Sequence, residues 1–341
     1  MRIDAFNHFF PKPFFDRMLE VAGDLSDIGK RVRAVPALHD LDVRLRIIDG
    51  FPDYAQILSL PMPPLEVLSK RNAALELELA TIANDGMAAL VARHPDRFPG
   101  FIASIPMSQP DAGAGEAERA VRDLDAIGVQ IFTNVGGEPL DRPRFDPFFA
   151  AMHRIGKPIW LHPARGASHP DYMDEKKSLY EIWWCFGWLY ETSAAMARLV
   201  FSKTFDRYPG LKVIAHHLGA MVPYAEGRVG PGWDQLGART SDEDYAGLRR
   251  SLRKRPLDYF KQDFYADSAV FGSRAATVCG LEFYGADRVV FASDCPFDPE
   301  GGTGYIRATI AILDSLDLSK QDRENIYWRN LERLTGHTFV K

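Results

Sequence analysis

The chain has 341 residues, 46% apolar and 26% charged, with a formal net charge of −5. Those proportions describe a globular protein with a sizeable core, and the mild acidity gives no electrostatic reason to bind nucleic acid or an anionic membrane. No apolar run approaches the ~20 residues needed to span a bilayer, and the cysteines, Cys185, Cys279 and Cys295, are odd in number and lack C-x-x-C spacing, which argues against a disulfide framework or a thiolate metal site.

The chain opens with RIDAFNHF over Arg2–Phe9, a short apolar strand without the basic start and apolar stretch of a signal peptide, so a cytoplasmic protein is expected. After a long connection from Phe10 to about Asp53, a strand is predicted at Ala55–Leu60 and a helix at Glu76–His94. A strand at Gly100–Ile105, a helix at Glu116–Ile127 and a strand at Gly128–Thr133 follow. Next come a helix at Pro143–Ile155 and PIWLH, a strand over Pro158–His162. A second long connection, Pro163 to about Tyr190, carries the aromatic-rich DYMDEKKSLYEIWWCFGWLY. Beyond it lie a helix at Ser193–Tyr208 and the strand KVIAHH, Lys212–His217. A third connection, Val222 to about Asp263, holds the basic run Arg249–Arg255, read as a solvated helix face. The strand Phe264–Val270, the helix Arg274–Tyr284 and the strand Val289–Asp294 complete the series.

The strands are apolar without alternation, as in a parallel sheet covered on both faces. Eight strand–helix repeats in a chain of this length predict an α/β fold, a (β/α)8 TIM barrel, as one domain over residues 1–341. A doubly wound sheet would carry a Gly-rich phosphate turn after an early strand, and G-x-G-x-x-G is absent. The three long connections fall where barrels place their catalytic loops, so they are candidate substrate walls and subunit contacts.

Several strands end in chemistry. His8 lies near the end of the first, His162 ends the fifth, His216 and His217 end the sixth, and Asp294 ends the eighth. The C-terminal ends of barrel strands converge on one mouth. Imidazole with carboxylate suits Zn(II), Mn(II) or Fe(II), so a metal site with a base beside it is expected.

The same segments carry a resemblance. IDAFNHFFP is similar to an I-D-x-H-x-H-x-x-P opening; HPDRFPGFIASIPM, GVQIFTNVGGEPLD and PIWLHPAR follow in order; FDRYPGLKVIAHHLGAMVPYAEGRV, FYADSAVF and DRVVFASDCPF complete the series across nearly the whole chain. The chain thereby resembles the amidohydrolase superfamily, in the branch of aminocarboxymuconate-semialdehyde decarboxylase and the γ-resorcylate and 5-carboxyvanillate decarboxylases. The resemblance implies a metal-dependent, non-oxidative decarboxylase of a small aromatic or muconate-like acid. It implies one divalent metal, zinc first and manganese second, with His8, His162 and Asp294 as ligands and His217 as a base beside it. Asp294 would also handle a proton, and His216 would have a structural or supporting role. Arg33 and Arg165 would bind the substrate carboxylate, Trp184 would wall its ring, and Arg228 would reach the site of a neighbouring subunit in a homodimer or higher homo-oligomer. A metal-dependent hydrolase or hydratase on the same site is the rival reading, since a similar ion serves those reactions.

Phe6 departs from the pattern. It stands where the resemblance expects a first-strand ligand, histidine or glutamate, and phenylalanine has no lone pair to donate. His8, His162 and Asp294 remain, and three protein ligands suffice for a catalytic divalent ion. A cofactor-free site with Phe6 against the substrate is the alternative. Asn7 should point away from the mouth, because side chains alternate along a strand.

Overall fold

Each of the eight apolar runs forms a strand in the computed structural model, which describes residues 1–23 and 28–340. The strands are β1 (Arg2–His8), β2 (Tyr54–Ser59), β3 (Gly100–Ser104), β4 (Gly128–Phe132), β5 (Ile159–His162), β6 (Val213–Ala215), β7 (Phe264–Asp267) and β8 (Val289–Val290). They pair in chain order, all parallel. The ring is drawn together where the Ala5 N–H donates to the Phe291 carbonyl at 2.8 Å and the His8 N–H to the Cys295 carbonyl at 2.9 Å. This is the predicted (β/α)8 barrel. β8 is shorter than predicted: it ends at Val290, and the next N–H, that of Phe291, leaves the ladder for the Ile326 carbonyl at 2.8 Å.

Burial on both faces explains the unbroken apolar runs. Ile3, Ile57, Ile102, Trp160, Ile214 and Val290 fill the barrel interior, while Phe101, Val129, Leu161 and Phe264 face outward against the helices. β1 is irregular: its register against β2 shifts between Asp4 and Asn7. Ala5 and Phe6 therefore both join the interior cluster.

The principal helices are α1 (Lys12–Ala22), α2 (Ala73–Arg93), α3 (Pro110–Leu124), α4 (Asp146–Ile155), α5 (Gly187–Phe201), α6 (Glu226–Asp234), α7 (Arg274–Tyr284) and α8 (Gly304–Ser315). α2 begins before the predicted Glu76, because the Asn72 side chain accepts the Leu75 N–H at 3.1 Å and caps the helix there. Pro110, whose missing N–H is tolerated in the first turn, likewise starts α3 early. Arg249 and Arg250 lie exposed on a short helix, Tyr245–Ser251, as expected, whereas Arg255 pairs with Asp234 at 2.6 Å and Lys254 with Asp263 at 2.8 Å. Among the described residues no helix is long and apolar enough to cross a membrane.

Candidate active site

The barrel mouth gathers His8 from the end of β1, His162 from β5, His216 and His217 just past β6, and Asp294 past β8, all buried. Three of the imidazoles are oriented alike. Nδ1 of His8 donates to the Leu60 carbonyl at 3.1 Å, Nδ1 of His162 to the Pro163 carbonyl at 2.7 Å, and Nδ1 of His216 to Asp267 Oδ2 at 2.6 Å. A carbonyl can only accept, and Asp267 as a carboxylate likewise, so each Nδ1 carries a proton, and whenever the ring is neutral its Nε2 keeps a lone pair.

Those lone pairs face an anion. His8 Nε2 lies 3.0 Å and His216 Nε2 3.6 Å from Asp294 Oδ1, without hydrogen-bond alignment, and all three atoms are buried with no hydrogen-bond partner. Unprotonated nitrogens this close to a carboxylate oxygen repel it unless a proton or a metal cation sits among them, and this donor set fits a divalent metal. The donor atoms of His8, His162 and His216 lie within 4.8 Å of one another, as do those of His216, His217 and Asp294. Burial, then the neighbouring His216 and His8, holds His162 well below the ordinary histidine range and so neutral. Burial opposes a charge on His216 too, but the carboxylates of Asp267 and Asp294 override it and lift its pKa to about 9. An ion among the same donors competes with that proton.

His217 differs from the other three. Neither ring nitrogen has a hydrogen-bond partner, and Nε2 lies 3.9 Å from the other carboxylate oxygen, Asp294 Oδ2. Burial and the adjacent His216 lower its pKa, leaving a neutral imidazole able to give and take a proton. Its backbone is part of a left-handed run, with φ of 55° at His217, 55° at Leu218, 73° at Gly219 and 57° at Ala220. A non-glycine residue in that region costs about 1–2 kcal/mol. Packing enforces the turn: a Cβ at Gly219 would fall 2.1 Å from the Tyr284 hydroxyl oxygen. That contact gives HLG its physical reason.

Three supporting groups went unassigned in the sequence. Asp4 accepts the Ser293 N–H at 3.1 Å and the Tyr54 hydroxyl, tying β1 to the residue before Asp294. Arg44, fully buried, donates to the His8 carbonyl, to Ala37 O and to Gln56 Oε1. Asp267 holds the His216 ring and also accepts the His217 backbone N–H at 3.1 Å. Asp4 and Asp267 stand inside quoted motifs, IDAFNHFFP and FYADSAVF, but only tertiary pairing reveals their partners.

A cavity of about 600 Å³ opens over His162 and Asp294, walled by Trp183, Trp184, Trp188, Phe271, Phe297 and Tyr305, with Lys30, Arg31 and Lys177 on its rim. A second hollow of about 480 Å³ shares Trp184, Trp188 and Phe271 and reaches His217. Trp184 is thus a wall residue. Trp188, not singled out in the sequence, comes closer to the chemistry: its ring centroid lies 5.6 Å from that of His162 and 6.4 Å from that of His217.

Other candidates are placed elsewhere. Phe6 lies packed among the histidines rather than on the cavity wall, its centroid 4.7 Å from that of His216, 4.9 Å from His8 and 5.9 Å from His162. Arg33 is exposed and donates to the Gly23 carbonyl; its neighbour Arg31 reaches the cavity instead. Arg165 is engaged by Glu191 at 3.0 Å, and its carbonyl accepts the Trp188 indole N–H at 3.0 Å, so it braces a wall. Arg228 is exposed on α6, in a separate cleft beside Trp233. Asn7 points outward, its amide oxygen 3.5 Å from the Arg44 guanidinium.

The amidohydrolase family pattern matches residues 3–336. The chain belongs to the amidohydrolase family. A γ-resorcylate decarboxylase of Polaromonas sp. (strain JS666) is 32% identical over 301 residues, 86% of each chain. A solved dihydroxybenzoic acid decarboxylase from Polaromonas sp. JS666, with bound manganese and the inhibitor 2-nitroresorcinol, superposes with a TM-score of 0.77 at 26% identity, covering 98% of this chain and 96% of that one. A 5-carboxyvanillate decarboxylase from Novosphingobium aromaticivorans, with bound manganese and 3-methoxy-4-hydroxy-5-nitrobenzoic acid, reaches 0.81 at 25% identity, covering 99% and 97%. Within the amidohydrolases the chain therefore falls in the decarboxylase branch.

Proposed function

We propose that this amidohydrolase is a metal-dependent, non-oxidative decarboxylase of a small aromatic carboxylic acid, with muconate-like acids as the next substrate class. The observation that carries the reading is the clustering of buried imidazole and carboxylate donors beneath a cavity walled by aromatic rings. His8, His162 and Asp294 would hold the ion. Zinc fits the imidazole-rich set, and manganese is the metal named with both solved relatives. When bound, a divalent ion supplies a Lewis acid that draws electron density from the oxygens of the acid.

The chain's own groups do the rest. Arg31 and Lys177 on the rim attract the carboxylate, and the Trp184 and Trp188 faces hold an aromatic ring and exclude water. His217, neutral at rest, takes up a proton from solvent and as imidazolium delivers it to the ring carbon that bears the carboxylate. The bond to the carboxylate carbon then breaks, its electron pair restores the ring, and CO2 leaves. Asp294 Oδ2, beside His217, favours the imidazolium that carries the proton the reaction consumes. The reading includes a homodimer or higher homo-oligomer, supported by the exposure of Arg228 away from its own chain's cavity.

The test is to load the protein with Zn(II) or Mn(II), supply hydroxybenzoates and carboxyvanillate, and measure CO2 beside the decarboxylated phenol. Matching amounts of the two are expected. Consumption of lactones, amides or unsaturated acids without CO2 would move the site to hydrolysis or hydration.

A further inference from the structure

We infer that His216 is itself a metal ligand, the donor that makes up for the phenylalanine on β1, so that the ion is held by three imidazoles and one carboxylate. The inference rests on the metal site of the preceding section and changes its membership: the sequence reading gave His216 only a supporting role.

The geometry of the donors carries it. A histidine with a structural role satisfies both ring nitrogens or exposes one to water. His216 does neither. Its Nδ1 is fixed by Asp267 at 2.6 Å, while Nε2 is buried, has no hydrogen-bond partner and lies 3.6 Å from Asp294 Oδ1. A carboxylate holding the remote nitrogen of an imidazole is the arrangement that orients metal-bound histidines and raises their basicity. The donor atoms of His8, His162 and His216 form one group within 4.8 Å, and His216 also belongs to a second group with His217 and Asp294. It is the residue common to both.

Phe6 supplies the complementary fact. Its ring fills the space among the same three histidines, edge-on to each. β1 can therefore offer only His8 as a donor, and the Phe6 ring excludes water from the side of the site it covers. With His216 the count becomes four, His8, His162, His216 and Asp294, and the five-coordination that catalytic zinc can reach leaves a position for the substrate, while His217 stays free on the other carboxylate oxygen to move protons.

The experiment uses the whole chain with Zn(II), and a parallel sample with Mn(II) to read metal content. The parent is loaded, its zinc content is measured by elemental analysis, and ligands are counted by zinc K-edge X-ray absorption. Three imidazoles with one carboxylate are expected. Chelator competition should show zinc bound about 100-fold or more weakly by His216→Ala, beyond the loss typical of a supporting residue. The absorption count on the parent decides even where that variant does not fold. A bound ion with two imidazoles, or a folded His216→Ala with parental affinity, overturns the inference and leaves the metal reading standing. A parent that binds no zinc and no manganese overturns the metal reading and the inference together.

Discussion

Asp267 accepts the Nδ1 proton of His216 at 2.6 Å and with its other oxygen accepts the His217 backbone N–H at 3.1 Å, so one buried carboxylate at the end of β7 orders both histidines. Asp267→Asn keeps the shape but removes the charge that favours the Nδ1–H tautomer. Metal affinity is expected to fall about 10–100-fold, as for other outer partners of ligating histidines. Chelator competition on the folded variant measures it, and an unchanged affinity would show that Asp267 serves the fold alone.

His217 gives the opposite pattern. It is neutral, unpartnered and beside Asp294 Oδ2. Replacing it with asparagine removes the proton carrier and spares His8, His162, His216 and Asp294. Turnover should drop by about 10²–10⁴-fold, with metal content unchanged. Loss of metal in step with activity would assign His217 to the ion instead.

The barrel and the strand-end histidines were legible because both rest on local signals. Unbroken apolar runs mark strands covered on two faces, and His162 ends one of them as read. Features set by distant partners were not legible. The shift between Asp4 and Asn7, which turns Ala5 and Phe6 to the same interior, has no mark in an apolar run. Arg165 looked available to substrate because its counter-ion, Glu191, stands 26 residues away. Asp267, 51 residues from His216, is invisible to spacing arguments for the same reason.

Arg31 and Arg33 separate the reading by spacing from the reading by placement. Arg31 lies on the cavity rim and donates to the Phe297 carbonyl, whereas Arg33 turns to the Gly23 carbonyl. A hydrogen bond to a charged group contributes about 1.5–3 kcal/mol, so Arg31→Ala should raise KM for a carboxylate about 10-fold or more. Arg33→Ala should leave KM within about two-fold, as a surface substitution does. Steady-state kinetics on the two variants decides, and the reverse order would restore Arg33 to the site.

Glu66 makes stability depend on pH away from the chemistry. It is buried, its Oε1 accepts the Gly136 N–H at 3.3 Å, and burial, followed by the charge of Glu76, pushes its pKa up to about 7. The folded pKa thus exceeds the unfolded one, so between about 4.5 and 7 the native state holds more protons. Stability from this group is full below that window, falls as pH rises through it and is lost above it. Glu66→Gln removes the titration but keeps an oxygen for Gly136. At about 1.4 kcal/mol per pKa unit, the variant should gain up to about 3 kcal/mol over the parent at pH 8 and little at pH 4.5. Urea unfolding at the two pH values measures the difference, and equal gains at both would show that the Glu66 carboxyl titrates normally in the folded chain.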